Sequence, residues 1–307
     1  MLDAISRVAR CVAIGQPVRV SETRLLELAD GRELAWLQLG TPEGVPVFAF
    51  HGSPGSRYDF ANQDAVAGER GVRLIVPDRP GYGHSTYDPN RSFASWAEDV
   101  GQLADQLGLE EFGVLGVSSG GPNAAACARF IGDRLTGCAI VSGPAPSDAG
   151  IAPDGMLPAN RVAHRLCRVA PGLLVPLMAL GLRRGRRAPE EMVSWMVRSL
   201  PSPDAAVLGR PEVRDLMVSN ARRPLAATAA RAAVQDFRLE LRPWGFRLED
   251  IKIQVHVWHG DTDRNVLVAN GAYQARTIPN STLHLLAGEG HALFHDHFDQ
   301  ILDNVIS

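Results

Sequence analysis

The 307-residue sequence predicts an α/β protein with a doubly wound, mostly parallel eight-stranded sheet and a helical insertion. Short, fully apolar runs alternate with helix-compatible stretches, a pattern typical of a parallel sheet covered on both faces. A pair of alternating runs near the start predicts an antiparallel hairpin that opens the sheet. An interval of about 110 residues between two later runs contains no convincing strand, and connections of that length indicate an insertion.

The hairpin is predicted within residues 24–38, around Asp30-Gly31, because that dipeptide suits a tight turn with positive φ. Six further apolar runs are predicted as strands. They cover residues 46–50, 73–77, 112–117, 138–143, 253–258 and 282–286. Ligands of open α/β sheets bind beyond the carboxyl ends of the strands, so functional residues are expected just after these runs.

The insertion divides the predicted fold into three segments: the first part of the core (1–143), a helical cap (144–234) and the second part of the core (235–307). The cap segment holds 13 Arg against 7 Asp plus Glu. An inserted element must bury its apolar faces, so we expect a basic, helical cap that covers the sheet.

Composition indicates a soluble globular protein, with 45% apolar and 21% charged residues. The net charge of -3 gives no indication of a nucleic-acid partner. Charged residues interrupt the apolar positions of residues 1–20, and no stretch reaches the roughly 18 apolar residues of a membrane span. A cytoplasmic protein without a membrane span is therefore predicted, with its four cysteines reduced because none forms a C-x-x-C pair. Oligomeric state is not predicted.

The strongest chemical signal follows the run at 112–117, where Gly116-Val117-Ser118-Ser119-Gly120 forms a G-x-S-x-G pattern between a predicted strand and an Ala-rich helix. A serine on such a sharp turn needs glycines two positions away on either side, because helix and strand approach closely there. Ser118 is therefore the predicted nucleophile.

A serine hydroxyl needs a base, and an imidazole oriented by a carboxylate is the usual solution. His291 lies in the loop after the last predicted strand and is the predicted base. The loop after residues 253–258 offers two carboxylates. Asp263 is the preferred third member, because Asp261 lies closer to the strand, where it can tie the turn through backbone N–H groups.

The negative oxygen that develops during acyl transfer needs N–H donors fixed in advance. The loop His51-Gly52-Ser53-Pro54-Gly55-Ser56 follows the predicted strand at 46–50. The backbone N–H groups of Ser53 and Ser119 are the predicted donors of this oxyanion hole, and His51 is interpreted as a residue that orients the loop.

These motifs together resemble the α/β-hydrolase superfamily. The likeness includes HGSPG at 51–55, DRPGYGHS at 78–85, GVSSGG at 116–121 and the loops of Asp263 and His291, in the order serine, acid, histidine. It covers the chain except residues 1–20 and the insertion, and it implies a capped hydrolase whose cap shapes the substrate pocket. Serine at position 118 disfavours the dehalogenase and epoxide hydrolase relatives, which use aspartate there.

The resulting hypothesis is a serine hydrolase that cleaves carboxylic esters of small or medium size through an acyl-enzyme, with a small-molecule acyl substrate. A proline iminopeptidase-like aminopeptidase and a C–C bond hydrolase are alternatives that share the triad, although HGSPG and GVSSG differ from the HGGPG and GGSWG typical of such peptidases. A non-catalytic ligand-binding or scaffold protein is the alternative from a different class. Asn160, Arg161 and His164 are open to two interpretations, as pocket residues or as surface residues.

No metal or cofactor is predicted. His291, His295 and His297 lie close together in sequence, but the H-E-x-x-H pattern of zinc enzymes is absent. The glycine patterns of dinucleotide and phosphate-binding loops are also absent.

Overall fold

The computed structural model describes residues 22–223 and 227–306. The expectations for residues 1–20, including Cys11, lie outside the described residues. Cys127, Cys138 and Cys167 are free and buried, as the sequence predicts.

Eight strands form one sheet, which confirms the predicted fold class. They are β1 (Arg24–Glu27), β2 (Glu33–Gly40), β3 (Val45–Phe50), β4 (Val72–Pro77), β5 (Phe112–Val117), β6 (Leu135–Val141), β7 (Val255–Gly260) and β8 (Ser281–Leu286). Their spatial order is β1-β2-β4-β3-β5-β6-β7-β8. The β1–β2 and β2–β4 pairs are antiparallel and the remaining five pairs are parallel.

The predicted strand positions differ from the observed bounds mainly at β6 and β7. β6 begins at Leu135, three residues before the predicted start, because Phe112 of β5 pairs with Leu135 across a register irregularity. β7 begins at Val255 rather than at residue 253, and it continues to Gly260 because His259 and Gly260 pair with β8.

Residues 22–223 and 227–306 contain eleven α-helices, which lie beside the sheet or follow its strands. They are α1 (Asp64–Glu69), α2 (Phe93–Gln106), α3 (Gly121–Phe130), α4 (Pro158–Val169), α5 (Pro171–Arg187), α6 (Pro189–Ser199), α7 (Ser202–Leu208), α8 (Pro211–Arg222), α9 (Ala229–Glu240), α10 (Val268–Thr277) and α11 (Phe294–Ile306). None of the helices in residues 22–223 and 227–306 is both long and apolar enough to cross a bilayer.

The core lies on both faces of the sheet, because successive side chains of a strand point to opposite faces. Val114 belongs to one apolar cluster, together with Trp96 of α2 and Ala125 of α3. The next residue, Leu115, belongs to the other cluster, together with Ile301 of α11. All six residues of β5 are buried, so this strand provides a rigid base for the turn that follows it.

The long interval between β6 and β7 contains α4 to α9 and no strand among its described residues. A cluster of Cys167, Leu174 and Val234 joins α4, α5 and α9. The predicted segment 144–234 ends inside α9, which continues to Glu240. The division into a core and a cap with those bounds stays a prediction.

Candidate active site

Ser118 lies at the carboxyl end of β5 and has a φ of 54°. Residues other than glycine rarely adopt this left-handed backbone conformation. The flanking glycines are required by close contacts. A Cβ atom at Gly116 would lie 2.1 Å from the carbonyl oxygen of Gly120, and one at Gly120 would lie 2.2 Å from the carbonyl oxygen of Phe50. The turn therefore holds Ser118 at a crossing of strand and helix where no other residue type fits on either side.

His291 and Asp263 are brought together by the loops that follow β8 and β7. The Nδ1 atom of His291 donates a hydrogen bond of 2.8 Å to Oδ2 of Asp263. The other oxygen of Asp263 accepts hydrogen bonds from the backbone N–H groups of Asn265 and Val266. This arrangement fixes the carboxylate and leaves the Nε2 atom of His291 available for a reacting group.

Asp261 lies outside this pair. Its side chain is exposed, and its Oδ1 atom accepts a 2.8 Å hydrogen bond from the N–H group of Gly288. The two candidate carboxylates are therefore separated by geometry: Asp263 contacts the imidazole, and Asp261 ties two loops together.

Burial lowers the pKa of the His291 imidazole, but the charge and hydrogen bond of Asp263 and the charge of Asp204 outweigh burial, so the pKa lies above its ordinary value of 6.5. Asp204 belongs to α7 and is 1% exposed. Its Oδ1 atom accepts a 2.8 Å hydrogen bond from the N–H group of Ala292. An inserted helix thus contacts the histidine loop directly.

A second contact holds the same loop from the sheet. Ser142, just after β6, has a φ of 48° and is fully buried. Its hydroxyl donates to the carbonyl oxygen of His291 at 3.2 Å. Sequence reasoning did not single out Ser142 or Asp204, because neither belongs to a short motif. The only signal for Ser142 was its position at the end of a predicted strand.

The loop that contains Gly52 and Ser53 lies against Ser118. A Cβ atom built at Gly52 would lie 3.3 Å from Cβ of Ser118 and 3.8 Å from its Oγ atom. Within the described residues the backbone N–H group of Ser53 has no hydrogen-bond partner. Ser119 is the second residue of the first helical turn after β5, where N–H groups lack partners within the helix.

A buried polar network supports this loop. His51 accepts the N–H group of Arg79 at its Nε2 atom and donates from Nδ1 to the carbonyl oxygen of Gly52. Burial and the charge of Arg79 hold the pKa of His51 well below its ordinary value, so this imidazole is neutral. The guanidinium of Arg79 donates to the same carbonyl at 2.7 Å.

Asp236 connects this network to helix α9. Its carboxylate lies 2.8 Å from the guanidinium of Arg79 and 2.5 Å from that of Arg91. It also accepts a hydrogen bond from the hydroxyl of Tyr82, which in turn lies 2.8 Å from the hydroxyl of Ser53. Every one of these charged groups is buried, so Asp236 neutralises two cations behind the loop.

A single large cavity contains Ser118, Ser119, Ser53 and His291 in its wall. Its volume of about 1390 Å³ exceeds the 300–1,000 Å³ that is usual for small-molecule sites. No hydrogen bond between the Ser118 hydroxyl and His291 occurs in the described part of the chain. Contacts of this kind commonly shorten only when substrate binds.

The cavity wall is rich in methionine. All five methionines of the described residues line it, one in the loop before α4 and four on α5, α6 and α8. They are Met156, Met178, Met192, Met196 and Met217. Unbranched thioether side chains adapt to irregular apolar groups, so the wall can accommodate flexible apolar ligands.

Asn160, Arg161 and His164, for which two interpretations were open, also line the cavity. Asn160 donates to Oδ1 of Asn265 at 2.9 Å, which connects α4 to the loop of Asp263. Arg161 is exposed as well, so it lies where the cavity reaches solvent.

Two carboxyl groups line the cavity, Asp59 and Glu240. Both oxygens of Asp59 accept hydrogen bonds, from Ser56 and from Asn220. Burial and the charge of Asp236 raise the pKa of Glu240 to about 7, against the opposing effect of a hydrogen bond between its carboxyl group and the Ser119 side chain. Its Oε1 atom has no hydrogen-bond partner among the described residues, although it is buried. Sequence reasoning missed Glu240, since a lone glutamate at a helix end carries no signal.

The described residues contain no group of three or more His, Cys, Asp or Glu side chains that could hold a metal ion. His295 lines the cavity and burial lowers its pKa to about 4, whereas His297 lies 3.5 Å from Glu289. The three histidines that are close in sequence therefore point to different partners.

Comparisons with known proteins show what the chain as a whole resembles. A family model described as the alpha/beta hydrolase fold matches residues 45–164. A non-heme chloroperoxidase of Streptomyces lividans is 32% identical over 134 residues, which span 42% of this chain and 48% of that protein. A proline iminopeptidase of Arabidopsis thaliana is 30% identical over 129 residues, which span 40% of this chain and 33% of that protein. The chain thus matches less than half the length of these two relatives.

A solved structure of a thermophilic esterase from Thermogutta terrifontis superposes with a TM-score of 0.63. It covers 92% of this chain and 97% of its own, at 24% identity, a level at which the likeness concerns the fold. The eight-stranded sheet, the family model that matches residues 45–164 and the superposition with the esterase together show that the chain has the α/β-hydrolase fold.

Proposed function

We propose that the protein is a serine hydrolase that cleaves carboxylic esters of small or medium size through an acyl-enzyme. The observation that carries the proposal is the 2.8 Å hydrogen bond between Asp263 and His291, in the wall of the same cavity as the strained Ser118. An imidazole held by a buried carboxylate beside a serine on a sharp turn is the arrangement that activates a hydroxyl for acyl transfer.

In the proposed mechanism, His291 removes the proton of the Ser118 hydroxyl while the Oγ atom of Ser118 attacks the ester carbonyl carbon. His291 then gives this proton to the leaving alcohol, which leaves an acyl group on Ser118. A water molecule, deprotonated by the same imidazole, attacks the acyl-enzyme, and the imidazolium returns this proton to the Ser118 oxygen as the acid is released. Asp263 stabilises the imidazolium and holds the tautomer whose Nε2 atom accepts protons.

The backbone N–H groups of Ser53 and Ser119 are the proposed donors to the carbonyl oxygen as it becomes negative. Their support differs. Ser119 is fixed by the turn after β5, and Ser53 is fixed by the network of His51, Arg79 and Tyr82. Each such donor is worth about 3 kcal/mol in the transition state.

The apolar and methionine-rich wall favours an apolar acyl or alcohol group over a charged one. The cavity volume of about 1390 Å³ gives room for substrates of medium size. Esters with flexible aliphatic chains are therefore the substrate class that we expect to be cleaved fastest.

A second candidate, an aminopeptidase, is favoured by one observation. The buried Oε1 atom of Glu240 in the cavity wall has no partner among the described residues, and an ammonium group is a donor that would satisfy it. The 30% identity to a proline iminopeptidase over 129 residues supports the same candidate.

Labelling with a fluorophosphonate probe tests the serine chemistry. We expect the folded protein to be labelled and the Ser118→Ala variant to remain unlabelled, with Ser199→Ala, a serine on α6, as a labelled control. An unlabelled wild-type protein that binds ligands normally would instead support a non-catalytic binding protein.

A substrate panel then separates the two candidates. Aliphatic esters of increasing length, amino-acid arylamides and C–C diketones are compared, with Ser118→Ala as the blank. The ester proposal requires the highest kcat/KM for esters. Faster cleavage of arylamides would contradict the ester proposal. If Glu240→Gln also lowers arylamide cleavage while ester cleavage persists, the aminopeptidase assignment replaces the esterase assignment.

A further inference from the structure

Exposed apolar side chains concentrate on three inserted helices. Eleven large hydrophobic residues of the described chain are exposed, and six of them lie on α4, α5 and α6. They are Val162, Val169, Leu173, Leu177, Leu180 and Trp195. Singly scattered exposed leucines need no explanation, but a contiguous group marks an interaction surface.

The arrangement along α5 is regular. Leu173, Leu177 and Leu180 are 62%, 55% and 49% exposed, and their spacing of four and three residues places them on one face of the helix. The packing of α5 uses another face, where Leu174 is buried against Cys167 and Val234. The outer leucines are therefore not needed to hold α5 in place.

Two of these helices, α4 and α5, carry charge of one sign only. Residues 158–187 contain seven arginines and no aspartate or glutamate. The arginines are Arg161, Arg165, Arg168, Arg183, Arg184, Arg186 and Arg187, and all seven are exposed. In the described part of the chain none of them forms an ion pair, whereas ten other arginines do. Their guanidinium groups are thus available to an external anion.

This surface borders the opening of the catalytic cavity. Val162, Val169 and Arg168 are exposed and also line the cavity wall. These three residues therefore belong both to the exposed face of α4 and to the wall of the cavity that contains Ser118.

We propose that the outer face of α4 and α5, here called the α4–α5 surface, docks on anionic lipid bilayers and opens the cavity toward the membrane. Leucines that insert at the interface and arginines that pair with lipid phosphates are the two features that interfacial helices combine. The binding step does not depend on the proposed chemistry, but it explains how apolar esters would reach the cavity.

A second copy of the chain is a poorer occupant of this surface. Symmetric dimers bring the same patch of both copies together, so seven arginines would face seven arginines with no acidic partner on either side. Lipid phosphates provide the missing negative charge, and acyl chains cover the exposed leucines.

The experiment is flotation of the full chain with lipid vesicles. We expect binding to vesicles of phosphatidylcholine mixed with phosphatidylglycerol, weaker binding to phosphatidylcholine alone, and a loss of binding at high salt, because exposed charges are screened. No binding to the mixed vesicles at low salt would overturn the proposal.

Variants locate the contact. The triple change Leu173→Gln, Leu177→Gln and Leu180→Gln should weaken binding at least about tenfold. The matched control changes Leu25→Gln and Leu285→Gln, which are 55% and 52% exposed on β1 and β8, and should leave binding unchanged. Equal binding by both variants contradicts the assignment of the α4–α5 surface.

Charge variants and sedimentation complete the test. Arg184→Gln and Arg187→Gln should each weaken binding to anionic vesicles about fivefold. Arg247→Gln, with a side chain 73% exposed outside these helices, should have no effect. A dimer in sedimentation velocity that the triple leucine variant converts to a monomer, without vesicle binding by the wild type, would show that the surface joins two copies instead.

Discussion

The sheet and the inserted helices of this protein differ in how tightly their residues are packed. All six residues of β5 are buried, and glycines beside Ser118 lie so close to neighbouring backbone that a single Cβ atom does not fit. By contrast, only Leu174 and Gly185 of the 17 residues of α5 are buried, and the helix borders a large cavity. The comparison teaches that the sheet fixes the proposed reacting groups tightly, whereas the helices that line the proposed substrate cavity are packed loosely.

The separation is not complete, because three carboxyl groups of the helices between β6 and β7 reach the site. Asp204 contacts the histidine loop, Asp236 neutralises Arg79 behind the Gly52 loop, and Glu240 lines the cavity. The inserted helices thus tune the charges of a site whose geometry comes from the sheet.

The largest effect is expected where the sheet fixes the chemistry. Asp263→Asn should lower kcat about 10⁴-fold, because the amide no longer stabilises the imidazolium or selects its tautomer. Steady-state kinetics with an ester substrate measure this loss. Asp261→Asn is the matched control, since that exposed side chain lies outside the pair with His291, and a comparable loss in the control would break the assignment.

A stability measurement tests the difference in packing. Gly120→Ala places a Cβ atom 2.2 Å from the carbonyl oxygen of Phe50 and should lower the free energy of unfolding by about 3 kcal/mol or more. Gly181→Ala in α5 meets no heavy atom within 4 Å and should raise it by about 0.5–1 kcal/mol. Urea unfolding measures both. If the two substitutions change the free energy of unfolding equally, the sheet is not packed more tightly than α5.

The pH dependence tests the influence of the inserted segment on the core. His291 acts as a base only when neutral, and its pKa lies above 6.5, so kcat/KM should rise with pH through a midpoint above 6.5. Asp204→Asn removes a negative charge that raises this pKa, and the midpoint should move to lower pH. Asp215→Asn, an exposed change on α8, should leave the profile in place. An unshifted profile for Asp204→Asn would falsify the electrostatic link.

The smallest effect is expected in the cavity wall. Met196→Leu conserves volume and should change stability by less than about 1.5 kcal/mol. The relative rates for short and long aliphatic esters should change by less than about tenfold, because the neighbouring methionines adapt. An ester-length panel measures these rates. A complete loss of activity would show that the cavity wall is as sensitive to substitution as the turn that holds Ser118.

The sequence was sufficient to predict the eight strands, because apolar runs bounded by turns such as Asp30-Gly31 carry a local signal. The pairing of Asp263 with His291 also followed from the sequence, since both residues come just after predicted strands. Asp204 and Glu240 could not be found in this way, because their contacts depend on how the inserted helices fold back over the sheet. The same limit applied to Asn160, whose contact with Asn265 joins residues that are 105 positions apart.

The pairing of Asp236 with Arg79 and Arg91 sets a condition on exchanging parts between relatives. A chimera that replaces α9 with a helix lacking this carboxylate leaves two buried guanidiniums without a counter-charge, one of which holds the carbonyl of Gly52. Transfer of substrate specificity by swapping the inserted segment therefore succeeds only when its donor also provides an acid at that position. The carboxylate of Asp236 and the guanidinium groups of Arg79 and Arg91 therefore have to be exchanged together.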